Sequence, residues 1–177
     1  MIAQSRVNEY HKTTKMKIIF LFIAVALSLT TMAQITKVSL QASGLTCSMC
    51  SNAINKALNT LDFVEKVKPD IKTYTFEISF KPNSNVDFEK IKKKVEDAGF
   101  SVSGFIATIN FENVTLQDNT PIKIGVNSLI FMHTKAQSLK GEVKVRLLDK
   151  GFISSKEYKT YGISSLLTER GIYHVTI

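Results

Sequence analysis

The stretch that decides the fold is residues 44–50, which read Gly44-Leu45-Thr46-Cys47-Ser48-Met49-Cys50. Before it, apolar and polar residues alternate over residues 35–42, and this alternation predicts a half-buried strand. After it, apolar residues recur at helical spacing over residues 48–60, and this spacing predicts an amphipathic helix. The two cysteines are therefore expected in a short loop between a strand and the helix that follows it.

Four further elements are predicted downstream of this loop. Residues 63–68 predict a short strand, and the alternation of apolar residues over 74–80 predicts another. A second helix is expected to begin after Asp87, which can cap it, and to stop at Gly99. Residues 100–105 predict the last strand. The order strand, helix, strand, strand, helix, strand predicts an α+β fold of the ferredoxin-like kind, with two helices on one face of an antiparallel sheet.

The unit formed by residues 34–105 resembles the heavy-metal-associated domain, which is shared by copper chaperones, the N-terminal modules of copper-transporting ATPases and periplasmic mercury-binding proteins. The matching residues are the loop at 44–50, Ala57-Leu58, Val64 with Val67, and the closing Asp97-Ala98-Gly99-Phe100. Three positions depart from the pattern: Leu45 stands where the family usually has Met, Phe63 replaces a small residue, and Phe100 stands where bacterial members often have Tyr. The resemblance implies a heavy metal as ligand, and a metal-transporting ATPase or another cysteine-bearing protein as acceptor.

Cys47 and Cys50 are the candidate metal ligands. Two thiolates separated by two residues can converge on one soft cation, and a position at a helix start favours thiolate over thiol. Thiolates select soft ions, and a set of two ligands suits Cu(I) better than Zn(II), which prefers four. We therefore expect Cu(I), with Hg(II), Zn(II) and Cd(II) as alternatives. Met49 is expected to be an apolar side chain at the loop edge rather than a third ligand.

A second use of the same two cysteines is thiol–disulfide exchange, because CxxC at a helix start is also found in redox proteins. Thioredoxin-like sites resemble Trp-Cys-Gly-Pro-Cys within a different strand order, whereas Ser48-Met49 separates the cysteines here and the chain has no Trp. A structural disulfide is disfavoured, because a bridge across so short a loop removes little entropy from the unfolded chain. We therefore expect a non-enzymatic carrier or scavenger of metal, with a redox protein as the alternative.

Residues 1–33 have the pattern of a secretory signal peptide. Two lysines precede an apolar run at residues 18–29, and Thr31-Met32-Ala33 has the small-residue pattern of a cleavage site. The run is shorter than the roughly 20 residues of a transmembrane helix, so an uncleaved anchor is the lesser alternative. Because Met16 begins a more typical signal peptide, residues 1–15 are expected to be a misassigned start. We expect export to the periplasm or another extracytoplasmic space, without stable membrane insertion after cleavage.

The composition is that of a globular protein. Hydrophobic residues make up 44% of the chain and there are only two cysteines, which excludes a disordered chain and a disulfide framework. Residues 1–33 hold four of the 23 basic and one of the 15 acidic residues, so their removal lowers the net charge from +8 to +5. The densest basic run, residues 90–94, falls on the polar side of the second predicted helix and no aromatic residue interrupts it. Nucleic acid is therefore not an expected partner.

Residues 106–177 predict a second, β-rich domain of unknown role. Apolar or alternating runs occur at residues 106–111, 121–125, 129–133, 142–148 and 171–177, and one short helix is predicted at 155–161. We expect a barrel or sandwich of about five strands, closely connected to the first domain because no Gly-, Ser- or Pro-rich linker separates them. Met132, His133 and His174 are candidates for a second soft-metal site, although such residues on strands more often pack in the core or lie on the surface.

Overall fold

The structure is a computed structural model, and it describes residues 33–46, 48–116, 120–132, 137–161 and 170–177. Cys47, His133 and all of the predicted signal peptide except Ala33 lie outside the described residues, so the signal peptide stays a prediction. Within the described ranges, none of the helices is long and apolar enough to cross a membrane.

The first six elements follow the predicted order. They are β1 (Gln34–Ser43), α1 (Ser48–Leu58), β2 (Val64–Asp70), β3 (Thr75–Phe80), α2 (Phe88–Asp97) and β4 (Ser101–Thr115). β1 lies between β3 and β4, and β2 pairs with the outer side of β3, all in antiparallel orientation. α1 contacts α2 and β2, and α2 contacts β4. The predicted ferredoxin-like α+β arrangement is confirmed.

α2 forms where the sequence supplies a cap, an apolar stripe and a stop. The side chain of Asp87 accepts a hydrogen bond from the backbone N–H of Lys90 at 3.1 Å, which satisfies one of the unpaired donors at the helix start. The buried stripe consists of Phe88, Ile91 and Val95. The chain leaves the helix through Gly99, whose φ of +89° is accessible to glycine at little cost.

The two strands predicted at residues 100–105 and 106–111 are one strand, β4. Its buried positions keep a period of two across that junction, and they are Phe105, Ala107, Ile109 and Phe111. β4 pairs with β1 on one side and with β7 (Ser138–Leu147) on the other. The boundary between residues 105 and 106 therefore falls inside a strand, and the division into two domains stays a prediction.

The described strands of residues 106–177 extend the same sheet. Besides β7, the elements here are β5 (Ile122–Ile124), β6 (Asn127–Phe131), α3 (Ser155–Tyr161) and β8 (Ile172–Thr176). The sheet has the order β2-β3-β1-β4-β7-β8-β6-β5, in which only β6 and β8 run parallel. The expected barrel or sandwich is wrong, because the long β4 offers its second edge to β7, and the backbone groups of that edge need partners. The helix at residues 155–161 is confirmed.

Four aromatic rings join α2 to the C-terminal part of the sheet. Phe88 of α2 lies 5.1 Å from Phe105 of β4 and 5.4 Å from Tyr173 of β8, measured between ring centroids. Phe152 lies 5.2 Å from Phe105 and 5.3 Å from Tyr173, so the contacts close a ring of four. All four pairs are edge-to-face, a geometry that contributes about 1 kcal/mol per pair beyond the area it buries. The ferredoxin-like elements and the later strands therefore share one core.

Candidate metal centre

The loop between β1 and α1 carries the cysteine motif. Gly44 has a φ of +87°, a conformation that residues with a side chain rarely adopt. A Cβ added to Gly44 would lie 3.9 Å from Cδ1 of Phe100, which is ordinary contact, so the backbone angle rather than space requires glycine here. Leu45 is buried, as expected of the apolar residue that replaces Met. Gly44 thus lies beside Phe100, and Leu45 packs in the core.

Cys50 lies in the first turn of α1, which begins at Ser48. Its side chain is half-buried and packs against the hydrophobic core. The first turn of α1 contains no acidic residue, so the backbone N–H groups and the positive end of the helix dipole face this position without competing charge. This environment favours a negative charge, and hence a thiolate able to bind a soft cation. The distance between Cys50 and Cys47 is not described, and their convergence on one ion remains a prediction.

Met49 occupies the second position of α1. Its side chain is 80% exposed, in agreement with its expected place at the edge of the loop. Consecutive residues of a helix do not face each other, so Met49 and Cys50 project from different sides of the first turn. The exposed thioether enlarges the apolar surface beside the candidate site.

Ser51 is the residue that sequence reasoning missed. It is 2% exposed, and its Oγ has no hydrogen-bond partner in the part of the chain that the structure describes. An unsatisfied buried hydroxyl costs about 1–3 kcal/mol. Ser51 precedes the buried Ile54 by three residues and the buried Leu58 by seven. That spacing places Ser51 on the apolar face of α1. The same spacing, read from the sequence, could have identified Ser51 as a buried polar residue next to Cys50.

Two of the residues suggested for a second metal site lie in neighbouring strands, because the backbone N–H of Met132, just after β6, donates to the carbonyl of Val175 in β8 at 2.8 Å, next to His174. His174, in β8, is buried, and its Nδ1 lies 2.8 Å from Oδ1 of Asp149. Met132 follows β6 and is half-buried, and His133 lies outside the described residues. Among the residues with described positions, no three His, Cys, Asp or Glu side chains are grouped so that they could hold a metal ion. His174 is thus paired with the carboxylate of Asp149, a residue for which the sequence predicted only a place in a turn.

Tyr173, next to His174 in β8, is also buried. Burial raises the pKa of Tyr173 above its ordinary value, and the negative charges of Glu89, Asp87 and Asp149 act in the same direction. Both effects disfavour the phenolate. Tyr173 therefore stays protonated at neutral pH and offers no anionic oxygen to a cation.

The sequence profile of the heavy-metal-associated domain matches residues 39–101. The chain is 35% identical over 74 residues to a probable copper-exporting P-type ATPase of Archaeoglobus fulgidus, a match that covers 42% of this chain and 9% of the ATPase. The chain thus spans only a small part of that relative. It is 33% identical to the crystal structure of a copper binding domain from HMA7, a P-type ATPase; the match covers 39% of this chain and 92% of that one, with a TM-score of 0.36.

Two mercuric transport proteins, both periplasmic components, are matched over most of their length. The one from Pseudomonas fluorescens is 33% identical over 66 residues, which are 37% of this chain and 71% of the relative. The one from Serratia marcescens is 30% identical over 89 residues, which are 50% of this chain and 97% of the relative. Together with the profile match and the ferredoxin-like unit, these relatives show that the chain belongs to the heavy-metal-associated domain family.

Proposed function

We propose that this protein is an exported, non-enzymatic carrier or scavenger of a heavy metal, and that Cys47 and Cys50 hold the ion. The observation that carries the proposal is the position of Cys50 in the first turn of α1, directly after the glycine-containing loop of a heavy-metal-associated domain. The helix start favours the thiolate, and a CxxC spacing supplies a second sulfur close by in sequence.

Cu(I) is the proposed cargo, because two thiolates are a sufficient ligand set for it and soft ligands select it over hard cations. Two of the relatives are described as copper ATPases, which supports this choice. Two others are described as mercuric transport proteins, so Hg(II) is the first alternative. Zn(II) and Cd(II) rank below them, since Zn(II) prefers four ligands and no further ligands are grouped among the described residues.

Metal transfer is proposed to proceed by ligand exchange. A thiolate of the acceptor adds to the ion held by Cys47 and Cys50, which gives a three-coordinate ion, and one of the protein's own thiolates then departs. No electron is transferred in this exchange, and the ion is never released to solvent. Thr46, Ser48 and Met49 are exposed, so an acceptor can approach the loop. The proposed acceptor is a metal-transporting ATPase or another protein with paired cysteines.

Export is proposed from the signal-peptide pattern of residues 1–33. The relatives described as periplasmic components support the same compartment. In an oxidising space a bound soft ion would also protect the two thiols from forming a disulfide. The competing function is thiol–disulfide exchange by the same cysteines, which the helix-start position of Cys50 would equally serve.

The deciding experiment is to produce the chain from Gln34 onward, purify it without oxygen, and measure bound metal by native mass spectrometry. The matched control is the variant with both Cys47→Ser and Cys50→Ser. We expect about one copper ion per chain in the parent protein and none in the control, as the single CxxC pair requires. A parent protein that takes up no soft metal from a copper or mercury buffer would overturn the proposal.

A further inference from the structure

We propose that Nε2 of His174 and the thioether sulfur of Met132 form a second, weaker site for Cu(I) in the C-terminal part of the sheet. The site does not use the cysteine pair, so it goes beyond the proposed function. The inference starts from the imidazole of His174, which is 1% exposed and whose Nε2 has no hydrogen-bond partner in the part of the chain that the structure describes.

The carboxylate of Asp149 fixes the state of this imidazole. Its Oδ1 lies 2.8 Å from Nδ1 of His174, and its Oδ2 accepts the backbone N–H of His174 at 2.6 Å. Because the oxygens of a carboxylate only accept, Nδ1 carries the ring proton and donates it. In the neutral imidazole Nε2 then keeps its lone pair. A histidine whose other ring nitrogen donates to a carboxylate is the usual arrangement of a metal-binding histidine.

The burial of Nε2 without a partner calls for a physical reason. Buried polar atoms are nearly always hydrogen-bonded, and an unsatisfied one costs about 1–3 kcal/mol. Ile130, which lies opposite His174 in β6, has no polar atom in its side chain. A soft cation bound to the lone pair would satisfy Nε2 at this position.

The backbone hydrogen bonds place Asp149 and Met132 on opposite sides of β8. The N–H of His174 bonds to Asp149 and its carbonyl accepts from the N–H of Leu148, so both groups are directed towards the end of β7. The carbonyl of the next residue, Val175, accepts from the N–H of Met132 at 2.8 Å. This bond lies on the β6 side of β8.

The ring nitrogen without a partner is directed towards the same side as Met132. The two nitrogens of an imidazole point away from each other, so a ring whose Nδ1 is held by Asp149 directs Nε2 towards β6. Because Ile130 is opposite His174 and β6 and β8 run parallel, Met132 is the diagonal neighbour of His174 on the same face of the sheet. Diagonal neighbours lie about 7–8 Å apart, within reach of long side chains, and the unbranched methionine side chain adapts readily.

An imidazole and a thioether together favour Cu(I). Thioethers select soft ions and imidazole is a good copper ligand, whereas Zn(II) prefers four ligands. No three His, Cys, Asp or Glu side chains are grouped among the described residues, so the surroundings offer Zn(II) no such set. Both ligands are neutral, and we therefore expect weaker binding than by two thiolates, with the ion lost during purification. Met132 is half-buried, and its exposed part gives the ion access from solvent.

The test uses the double variant Cys47→Ser, Cys50→Ser, which lacks the first site. Cu(I) is titrated without oxygen against a weak chromophoric chelator, and Ag(I) serves as a probe of the same charge that is stable to oxidation. We expect one ion per chain with a dissociation constant on the order of 1 µM. In NMR spectra of the imidazole nitrogens, Ag(I) should shift the Nε2 resonance of His174 far more than the Nδ1 resonance. Zn(II) at the same concentration should not bind.

Two further substitutions in this background identify the ligands. Met132→Leu keeps an apolar side chain and removes the sulfur, and it should weaken Cu(I) binding at least about tenfold. Met49→Leu is the matched control, because it makes the same change at the exposed thioether of α1, and it should leave the affinity unchanged. His174→Asn retains an N–H donor for Asp149 but lacks Nε2, so it should abolish binding. The melting temperature of each variant verifies that it is folded.

Several results would overturn the inference. The first is a double cysteine variant that binds neither Cu(I) nor Ag(I). The second is Ag(I) binding that leaves Nε2 of His174 unshifted, since the ion would then lie on another residue; this measurement decides even where His174→Asn does not fold. The third is equal affinity in Met132→Leu and Met49→Leu. The copper content of the parent protein tests the proposed function separately, so either can fail without the other.

Discussion

Nδ1 of His174 lies 2.8 Å from Oδ1 of Asp149, and the second oxygen of that carboxylate accepts a hydrogen bond from the backbone N–H of His174 at 2.6 Å. Both residues are at least 95% buried. The backbone N–H of Leu148 donates to the carbonyl of His174 at 2.9 Å. These three contacts fasten the segment after β7 to β8, which lies beside it in the sheet.

Replacing Asp149 by alanine should lower the free energy of unfolding by about 3 kcal/mol, because it leaves two buried donors of His174 without an acceptor. Urea denaturation of the metal-free protein measures the loss. The matched control is Asp97→Ala, which removes an exposed carboxylate from an i,i+4 pair with Lys93 and should change stability far less. Equal losses in the two variants would contradict the importance of the buried pair. The Cu(I) affinity of the cysteine pair should be unchanged in both, since neither aspartate is a candidate ligand.

Cys47→Ser and Cys50→Ser should each abolish tight binding of Cu(I), because one remaining thiolate leaves the ion without its second strong ligand. Metal content per chain and affinity in a chelator buffer are the measurements. Met49→Leu is the control, since it removes the exposed thioether beside Cys50 while keeping an apolar side chain. It should bind copper like the parent protein.

Three results would contradict parts of this assignment. Affinity retained in both cysteine variants would remove Cys47 and Cys50 as ligands. A Met49→Leu protein that fails to bind copper would show that the thioether of Met49 is a third ligand. An ion bound as tightly by the double cysteine variant would instead direct attention to Met132, His133 and His174.

Transfer of copper to an acceptor with two cysteines should be faster than spontaneous release of the ion. The reason is that ligand exchange passes through a three-coordinate ion and avoids a free one. Stopped-flow mixing of the loaded protein with such an acceptor measures the transfer rate. The release rate is measured with a chelator too bulky to reach the loop. Equal rates in the two experiments would show that the ion dissociates first.

The metal-free protein should reduce the disulfides of insulin slowly or not at all, because Ser48-Met49 between the cysteines lacks the proline of thioredoxin-like sites. Bound Cu(I) should protect both cysteines from alkylation, which mass spectrometry of trapped thiols measures. Thioredoxin serves as the positive control for turnover. Catalytic reduction that disappears in Cys47→Ser would establish the redox alternative in place of the carrier.

Local patterns were enough to predict the ferredoxin-like unit. The alternation in β1 and β3, the cap at Asp87 and the stop at Gly99 act among residues that are close in sequence. The cysteine motif could also be interpreted from the sequence, because its proposed function depends on its predicted place between one strand and the next helix. The helix at residues 155–161 was predicted for the same reason, since its spacing is local.

The strand pairing of the C-terminal segment, residues 106–177, could not be predicted in the same way. Its strands were recognised singly, but a strand's own alternation does not specify the strand with which it pairs. β6 pairs with β8 across more than forty residues of chain, with Ser128 opposite Ile172, and β7 takes the outer edge of β4. The result is one extended sheet where a separate barrel or sandwich was expected.

By itself the sequence determined the order of the βαββαβ elements and the position of Cys50 at the start of α1, because both depend on the spacing of residues that are close in the chain. Only the tertiary structure decided that β4 continues through residue 115, that Asp149 holds His174, and that the hydroxyl of Ser51 is buried. Each of these depends on which distant residues cover a side chain or pair with a backbone. Burial and pairing of that kind are properties of the whole packed chain, and no local pattern encodes them.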